Sequence, residues 1–350
     1  MMTGIPKTRF AMIGAGSVAQ AYLKAFEASE TAELVAVADT NLDAAVRAAN
    51  GFGCRVFDSH TSLLRSRRFD AALICTPPSS HPPIALDMLR CGIHVLCEMP
   101  FAVDVASARR MVHVAQRVGV KITMASKFRY VGDVIQAQAF IASGLLGEVL
   151  TFENSFTSSV PMAGSWHALP GVSGGGVVVD NGTHSVDILR YLCGPVTAIA
   201  AYEGTRVQQL PVEDTAHLVA RTSRGVLGSI DLSWSCNQET DSYLRVCGTK
   251  GALTLGWLRS KFRHSDAHGW ISFGSGYSEV DALRDQLDNF CRSLHGEQEE
   301  LINSEDALAS AATIAAAYRS LRYDRWIAID STTDNQAAKL PELTPVSATR

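Results

Sequence analysis

The chain has 350 residues, 47% of them hydrophobic, so it can build two domains with separate cores. Its 31 Lys and Arg against 35 Asp and Glu give a formal net charge of −4, which argues against nucleic acid or an anionic membrane as a partner. The apolar runs are too short for a membrane span, and we see no secretory h-region before the first predicted strand. The eight cysteines lie far apart in the sequence, which predicts reduced thiols in a cytoplasmic protein.

Residues 9–126 alternate short strands rich in Val, Ile and Ala with helical stretches. RFAMIGAG reads as a strand leading into the helix SVAQAYLKAFEAS, and ELVAVAD reads as a strand leading into the helix LDAAVRAANGF. The alternation continues through DAALICT, HVLCEMP and KITMAS, which read as later strands. It predicts βαβ units and a parallel sheet covered by helices on both faces. We therefore assign residues 1–126 to an α/β domain, a doubly wound Rossmann sheet.

The turn after the first predicted strand has the sequence GAGSVA, a GxGxxA pattern that opens a helix. The first glycine permits the tight turn, and the second lets a pyrophosphate approach the backbone. The helix N-terminus favours that negative charge because its N–H groups have no partner within the helix. We predict that the turn binds a dinucleotide through Gly14, Ala15, Gly16, Ser17 and Val18.

Asp39 ends the second predicted strand, 23 positions after Gly16. A carboxylate there can accept hydrogen bonds from the adenosine ribose hydroxyls and repel the 2′-phosphate of NADP. No arginine follows directly, so we expect NAD rather than NADP as the cofactor. The alternative is that Asp39 is only the N-cap of the following helix.

Two later strands also end in polar or unusual residues: TPPSSH follows DAALICT, and EMP follows HVLC. Ligands bind beyond the carboxyl ends of parallel strands, so both ends should face the nucleotide. For His81 an alternative stays open, in which the imidazole caps or packs locally. The predicted cofactor contacts here are Thr76, Pro77, His81, Glu98 and Met99.

After residue 126 the pattern changes to strands in series with helices at the borders. A glycine-rich hinge, VSGGG, precedes VVVDNGTHSVDILRYLCG, and residues 196–257 read as consecutive long strands joined by hairpin turns. This order predicts an α+β domain with a large, mostly antiparallel sheet at residues 127–330. Residues 331–350 form a polar tail, which we expect to be disordered or draped over a neighbour.

Taken in order, these motifs resemble the Gfo/Idh/MocA family of NAD(P)-dependent sugar and cyclitol oxidoreductases. The resemblance runs from Arg9 to about Tyr323 and rests on GAGSVA, TPPSSH, EMP in place of Glu-Lys-Pro, GGGVVVDNGTHSVD and RVCGTKGALTL. It implies hydride transfer between nicotinamide and a ring carbon that bears a secondary hydroxyl or ketone. It also implies an open-faced sheet in the second domain, through which copies assemble into dimers or tetramers.

Asp180 and His184 match the Asp and His of the family's D-x-x-x-H sequence. Four residues apart on a helix, they would lie on one face and converge on one substrate hydroxyl. An imidazole with a pKa near ~6.5 can accept the hydroxyl proton while NAD+ takes the hydride. The alternatives are an N-cap at Asp180 with a partly buried His184, or a metal held together with Asp187. The resemblance does not support a metal, and we predict none.

The lysine of the family's Glu-Lys-Pro is Met99 in this chain, and a thioether cannot donate a proton. His184 could act alone, or Lys127 in SKFRY could supply the ammonium from another strand end. The remaining alternatives are a non-catalytic NAD-binding sensor or assembly subunit, and a redox-neutral enzyme with tightly held NAD. For Lys127 a solvated position at the domain junction also stays open.

Similar proteins often carry Trp-Arg near the cofactor, where this chain has Trp166-His167. Arg129 follows the last Rossmann strand, where it could face the substrate or lie exposed beside a hydrophobic staple. We expect a small polyhydroxylated substrate, a sugar, an inositol or a related cyclitol. Its predicted contacts are Lys127, Arg129, Trp166, Asp180, Asn181 and His184.

Overall fold

The computed structural model describes residues 5–66, 68–238 and 240–329, so the predicted tail at 331–350 lies outside the described residues. The chain divides into two compact units. The first contains residues up to 102, 107–131 and 278–308, and the second contains residues 103–106, 132–277 and those from 309 on. No helix among the described residues has the length and apolar content that a bilayer crossing requires.

The first unit is built on a parallel six-stranded sheet, which confirms the predicted Rossmann fold. The strand order is β3-β2-β1-β4-β5-β6. The strands are β1 (Thr8–Ile13), β2 (Ala32–Ala38), β3 (Arg55–Phe57), β4 (Ala71–Ile74), β5 (His94–Glu98) and β6 (Ile122–Ala125). The helices are α1 (Ser17–Ala28), α2 (Leu42–Ala49), α3 (His60–Ser66), α4 (His81–Arg90), α5 (Val105–Val118) and, much later in the chain, α9 (Glu279–Leu294).

Helix α9 belongs to the first unit although the sequence-based boundary at residue 126 leaves it out. Its apolar face, which includes Leu283, Leu287 and Phe290, is part of the core that β1 and α1 also line. The rings of Phe10 and Phe290 lie 6.1 Å apart. The periodicity of α9 predicts that one face is buried, but it carries no information on which sheet receives that face.

The second unit contains a nine-stranded sheet in the order β14-β13-β12-β11-β7-β10-β9-β8-β15. All its pairings are antiparallel except the parallel pair β7–β10, which confirms the mostly antiparallel prediction. The strands are β7 (Val149–Thr157), β8 (Val196–Glu203), β9 (Thr215–Thr222), β10 (Leu227–Ser233), β11 (Ser242–Gly248), β12 (Gly251–Gly256), β13 (Ser260–His264), β14 (Ile271–Phe273) and β15 (Ile327–Ala328). The helices are α6 (Gly132–Ala142), α7 (Pro170–Ser173), α8 (Asn181–Cys193) and most of α10 (Ser304–Tyr323).

Alternate residues of the second sheet are buried on one face only. In β9 the residues Ala216, Leu218 and Ala220 are buried, while His217 and Val219 between them are partly exposed. Helix α8 packs on the buried side, since the side chain of Leu189 reaches the backbone of Gly228 in β10. The alternation of buried and partly exposed residues in β9 thus reflects one covered and one open face.

Asp133, in the first turn of α6, is a buried carboxylate that holds the loop after β14. It is 3% exposed and accepts a hydrogen bond from the Ser260 hydroxyl at 2.5 Å. The backbone N–H groups of Ser275 and Gly276 donate to its two oxygens at 3.1 and 3.0 Å. Because buried donors without partners are costly, this one side chain stabilises the edge of the sheet.

We expect Asp133→Ala to destabilise the second unit by about 3 kcal/mol, since it leaves one hydroxyl and two N–H groups buried without an acceptor. Urea unfolding measures the loss, and hydrogen exchange should accelerate at the amides of Ser275 and Gly276. Asp266→Ala is the matched control, because that side chain is 86% exposed. Unchanged exchange at these two amides in Asp133→Ala would contradict the assignment.

Candidate functional site

The GAGSVA turn has the geometry that a dinucleotide requires. Gly14 has φ +97°, and a Cβ there would lie 2.6 Å from the carbonyl oxygen of Cys75, so no other residue fits. Gly16 is the N-cap residue of α1, where no side chain caps the helix, and a Cβ built on it would meet nothing within 4 Å. Ser17 is exposed and Val18 is partly exposed beside it. The open space and the helix N–H groups fit a pyrophosphate.

Asp39 clamps this turn to the end of β2. Its Oδ2 accepts a hydrogen bond from the N–H of Ala15 at 2.7 Å, and its Oδ1 accepts one from the N–H of Asn41 at 2.7 Å. The N-cap of α2 is Asn41, whose side chain accepts from the N–H of Ala44 at 3.2 Å. The capping alternative for Asp39 therefore does not hold. Each carboxylate oxygen can accept more than one hydrogen bond, so Asp39 keeps acceptor capacity for ribose hydroxyls.

His81 packs beneath the protein surface against two strand ends and does not reach the nucleotide. It is fully buried, with Nε2 at 2.7 Å from the carbonyl oxygen of Thr76 and Nδ1 at 3.0 Å from that of Pro100. Burial lowers the pKa of His81, against the opposing effect of these carbonyls. A side chain with no exposed surface cannot contact a ligand, which favours the packing alternative. Thr76 and Pro77, above it, are partly exposed.

Glu98 ends β5 within a buried chain of hydrogen bonds. The Tyr22 hydroxyl donates to its Oε1 at 2.6 Å, and the Gln286 amide donates to the Tyr22 hydroxyl at 2.9 Å. The N–H of Met99 donates to Oε2 at 3.0 Å. Burial raises the pKa of Glu98, while the Tyr22 hydrogen bond and the ammonium of Lys127 oppose that rise. The carboxylate is therefore held in one orientation at the strand end.

Lys127 lies at the same edge of the sheet as Glu98 and Met99. In the ladder between β5 and β6, Glu98 is opposite Ala125, and Lys127 follows Ala125 by two residues. Its ammonium acts on the pKa of Glu98 and pairs with Glu279 in the first turn of α9. The side chain of Lys127 is 22% exposed, so the solvated alternative does not describe it. The structure thus supplies an ammonium near Glu98, the residue that precedes the methionine at the position of the expected lysine.

Arg129 is buried, although the sequence suggested either a substrate contact or an exposed side chain. Its guanidinium donates to Asp306 at 3.0 Å and to the carbonyl oxygen of Leu301 at 3.0 Å. Only 3% of its side chain is exposed. These contacts fix the chain before α10, so Arg129 has a structural role that no local sequence pattern reveals.

In the second unit, Asp180, Asn181 and His184 lie at the start of α8. All three are partly exposed, while their neighbours Gly182 and Thr183 are buried. Asp180 precedes the helix without capping it by its side chain, and its Oδ2 accepts a hydrogen bond from the indole Nε1 of Trp234 at 3.2 Å. Because α8 begins only at Asn181, the convergence of Asp180 and His184 on one substrate hydroxyl stays a prediction.

The three residues have different surroundings. The side chain of Asn181 donates to the carbonyl oxygen of Phe156 at 3.1 Å, and the ring of His184 lies edge-on to Phe156 at 6.5 Å. Asp187 is fully buried and accepts from the Ser310 hydroxyl at 3.4 Å. Among the residues that the structure describes, no group of three His, Cys, Asp or Glu could hold a metal ion.

A buried carboxylate, Glu213, shapes the glycine hinge before Asp180. Its Oε1 accepts hydrogen bonds from the N–H groups of Gly176 and Val178 at 3.0 and 3.1 Å and from the Tyr318 hydroxyl at 2.7 Å. A Cβ on Gly176 would lie 1.9 Å from the carbonyl oxygen of Glu213. Burial raises the pKa of Glu213, and the Tyr318 hydrogen bond opposes that rise. The sequence analysis missed Glu213, since only its distant partners give it a role.

Trp166 also lies in the second unit, where its ring stacks on that of His167 with centroids 3.7 Å apart. His167 in turn lies edge-on to Trp234 at 6.4 Å, the tryptophan that donates to Asp180. The sequence analysis did not include His167 among the site residues. The signal was present, because the chain has histidine where similar proteins often carry arginine.

Comparison with known proteins gives consistent matches along the chain. Residues 8–126 match the family model described as oxidoreductase family, NAD-binding Rossmann fold, and residues 134–254 match the GFO/IDH/MocA C-terminal domain. Rhizopine catabolism protein MocA from Rhizobium meliloti is 27% identical over 89% of this chain and 94% of its own length. Inositol 2-dehydrogenase from Rhizobium meliloti (strain 1021) is 26% identical over 92% of this chain and 99% of its own length.

The fold is also similar to that of a solved levoglucosan dehydrogenase in complex with NADH and levoglucosan. The TM-score is 0.86 at 19% sequence identity, covering 93% of this chain and all of the other. At that identity the similarity concerns the fold alone.

We expect Gly16→Ala to weaken NADH binding at least ~10-fold, because the added methyl group occupies the space a pyrophosphate needs. The fold should tolerate it, since Gly16 has no neighbour within 4 Å of that position. Titration of NADH fluorescence measures the affinity. Gly171→Ala, equally free of neighbours but in the second unit, should bind NADH as the wild type does. Unchanged affinity in Gly16→Ala would show that the nucleotide is held elsewhere.

We expect Glu213→Gln to stabilise the second unit more at pH 8 than at pH 5. Burial raises the folded-state pKa of Glu213 above its ordinary 4.5. In the wild type, protonated Glu213 therefore contributes stability below pH 4.5, and this contribution is lost as the pH rises through the raised pKa. Glutamine keeps an acceptor oxygen and cannot ionise. Urea unfolding at the two pH values provides the test, with the exposed Glu153→Gln in β7 as control. A pH-independent effect would rule out this titration.

Proposed function

Since this chain belongs to the GFO/IDH/MocA family of NAD-binding oxidoreductases, we propose that it is an NAD-dependent dehydrogenase of a sugar, inositol or related cyclitol. It would transfer a hydride between nicotinamide and a ring carbon bearing a secondary hydroxyl or ketone. The observation that carries the proposal is the partly exposed pair Asp180 and His184 at the start of α8, in a chain whose GAGSVA turn fits a dinucleotide.

NAD would supply the hydride acceptor at its nicotinamide ring. Gly16 and the N-terminus of α1 would hold its pyrophosphate, and Asp39 would accept hydrogen bonds from the adenosine ribose. The partly exposed Thr76, Pro77 and Met99 would contact the nucleotide further along the strand ends. Asp39 favours NAD over NADP, because a carboxylate already fixed beside the turn repels a 2′-phosphate.

His184 would accept the proton of the substrate hydroxyl during oxidation and return it during reduction. Asp180, fixed by the Trp234 indole, would hold the hydroxyl in position. Asn181, its neighbour in the chain, is anchored to the backbone of Phe156 and would contact another part of the substrate. Partly exposed polar groups of this kind suit a substrate with many hydroxyls.

Lys127 would take the place of the lysine that Met99 replaces. Its ammonium would donate a hydrogen bond to the substrate oxygen and stabilise the negative charge that develops as the proton leaves. Three observations support this role: the strand register next to Glu98, the effect of Lys127 on the pKa of Glu98, and the pairing with Glu279. The pairing with Glu279 orients the lysine at this end of the sheet.

Met99 also motivates a second candidate function, a non-catalytic NAD-binding sensor or assembly subunit. A redox-neutral enzyme with tightly held NAD is the related alternative. Both would bind NAD or NADH without accumulating NADH from any polyol. The position of Lys127 is the observation that favours the dehydrogenase over these.

We also propose that copies of the chain assemble as dimers or tetramers through the open face of the second sheet. Tyr202 and Leu227 are exposed large side chains on the open face of that sheet, where their strand partners are His217 and Arg221. Burial of such side chains against a second copy would stabilise the assembly.

The test is NADH formation from NAD+ over inositols, aldoses, amino sugars and nucleotide sugars. We expect turnover of at least one polyol, faster with NAD+ than with NADP+, and a loss of about 100-fold in kcat for Lys127→Met and for Asp180→Asn. NADH affinity should be unchanged in both variants. Lys121→Met, which removes an ammonium paired with Glu300, is the control and should turn over normally.

The double variant Lys127→Met with Met99→Lys moves the ammonium back to the family position and should recover part of the lost turnover. Full activity in Lys127→Met would exclude Lys127 as the replacement. If no polyol reduces NAD+ while NADH binds, the chain is a sensor or holds NAD captive.

A further inference from the structure

A second imidazole, that of His167, lies in the cluster around Asp180. His167 belongs to a short 3₁₀ turn at Trp166–Ala168, and its ring stacks on Trp166 at 3.7 Å. Its other neighbour is Trp234, which it meets edge-on at 6.4 Å. The indole Nε1 of Trp234 donates to Asp180 at 3.2 Å. One tryptophan therefore contacts both the imidazole and the carboxylate.

Ser165 contacts His167 at both the backbone and the ring. Its hydroxyl oxygen accepts a hydrogen bond from the backbone N–H of His167 at 3.3 Å and lies 2.8 Å from Nδ1. A hydroxyl oxygen that accepts from that N–H still has its own hydrogen, which it can donate to Nδ1. The proton of the neutral imidazole then lies on Nε2, which becomes a donor. Among residues 5–66, 68–238 and 240–329, Ser165 is the hydrogen-bond partner found for this ring, and it uses Nδ1.

His167 is neutral near neutral pH. Burial lowers its pKa, and the carboxylate of Asp180 opposes that shift only in part. His167 is partly exposed, and the stacked Trp166 limits the rotation of its ring. A neutral N–H donor next to a carboxylate acceptor is a pair that recognises hydroxyl groups, which both donate and accept.

We propose that His167 is a substrate-binding residue whose Nε2–H donates to a second hydroxyl of the polyol, beside the hydroxyl that Asp180 holds. This rests on the proposed dehydrogenase function and adds a specificity determinant to it. Where similar proteins often carry an arginine, a neutral imidazole adds no positive charge for a carboxylate or phosphate. The chain would thus select its substrate by the position of a second hydroxyl.

The kinetic test compares the polyol that turns over fastest with its monodeoxy analogues. The wild type should lose at least ~10-fold in kcat/KM on one analogue, because a site built to bond a hydroxyl rejects the compound that lacks it. His167→Phe keeps an aromatic ring, and its kcat/KM on the parent polyol should fall by about the same factor. On the sensitive analogue, the kcat/KM of His167→Phe should be no lower than on the parent polyol. His268→Phe, the same change at an exposed loop position, is the control.

The proposal would be overturned if each monodeoxy analogue lowered kcat/KM by the same factor in the wild type and in His167→Phe. Full kcat/KM of His167→Phe on the parent polyol would overturn it as well. His167→Phe should leave NADH affinity unchanged. A fall in NADH affinity would also overturn it, because the residue would then serve the cofactor or the fold.

Nitrogen NMR of the histidine rings tests the same inference without turnover. The His167 signals, identified by their loss in His167→Phe, should report a proton on Nε2, and Asp180→Asn should lower the pKa of His167 because the raising carboxylate is gone. A proton on Nδ1 would refute the proposal. If no polyol turns over, the dehydrogenase proposal fails by itself. Polyols added with NADH then decide the role of His167, since binding must shift its Nε2 signal.

Discussion

The parallel ladder between β5 and β6 is the constraint on which the candidate site residues of the first unit depend. Hydrogen bonds in a parallel sheet fix which residues end side by side, and here Glu98 is opposite Ala125. That register brings Lys127 to the strand end that carries Met99. A lysine that follows β6 can therefore lie near the same strand end as a lysine that follows β5. The same edge of the sheet also carries the GAGSVA turn and Asp39.

Buried carboxylates order the segments between strands by accepting hydrogen bonds. Glu98 orders the end of β5, Glu213 orders the glycine hinge before α8, and Asp133 orders the loop after β14. Each accepts hydrogen bonds from backbone N–H groups or hydroxyls of segments that have no regular structure of their own. Burial raises the pKa of Glu98 and of Glu213, so the chain accepts a desolvation cost in return for defined loop conformations.

The two departures from the family pattern both have polar neighbours in space. Met99 cannot supply a proton, yet Lys127 lies beside the same carboxylate. His167 cannot supply a permanent positive charge, yet its ring stacks on Trp166 and contacts the Ser165 hydroxyl. Both changes keep polar groups at the site while altering their charge and their position in the chain. Such exchanges alter which substrates are accepted more readily than they alter the fold.

The sequence alone determined the two architectures, the dinucleotide turn and the absence of the usual lysine, and it singled out Asp180 and His184 as candidates. These features depend on local periodicity and spacing, which neighbouring residues carry. Only the tertiary structure decided that His81 and Arg129 are buried, that Asn41 and not Asp39 caps α2, and that α9 joins the first unit. It also revealed Glu213 and His167. Their partners lie far away in the sequence or depend on how a loop folds, and spacing along the chain does not encode such contacts.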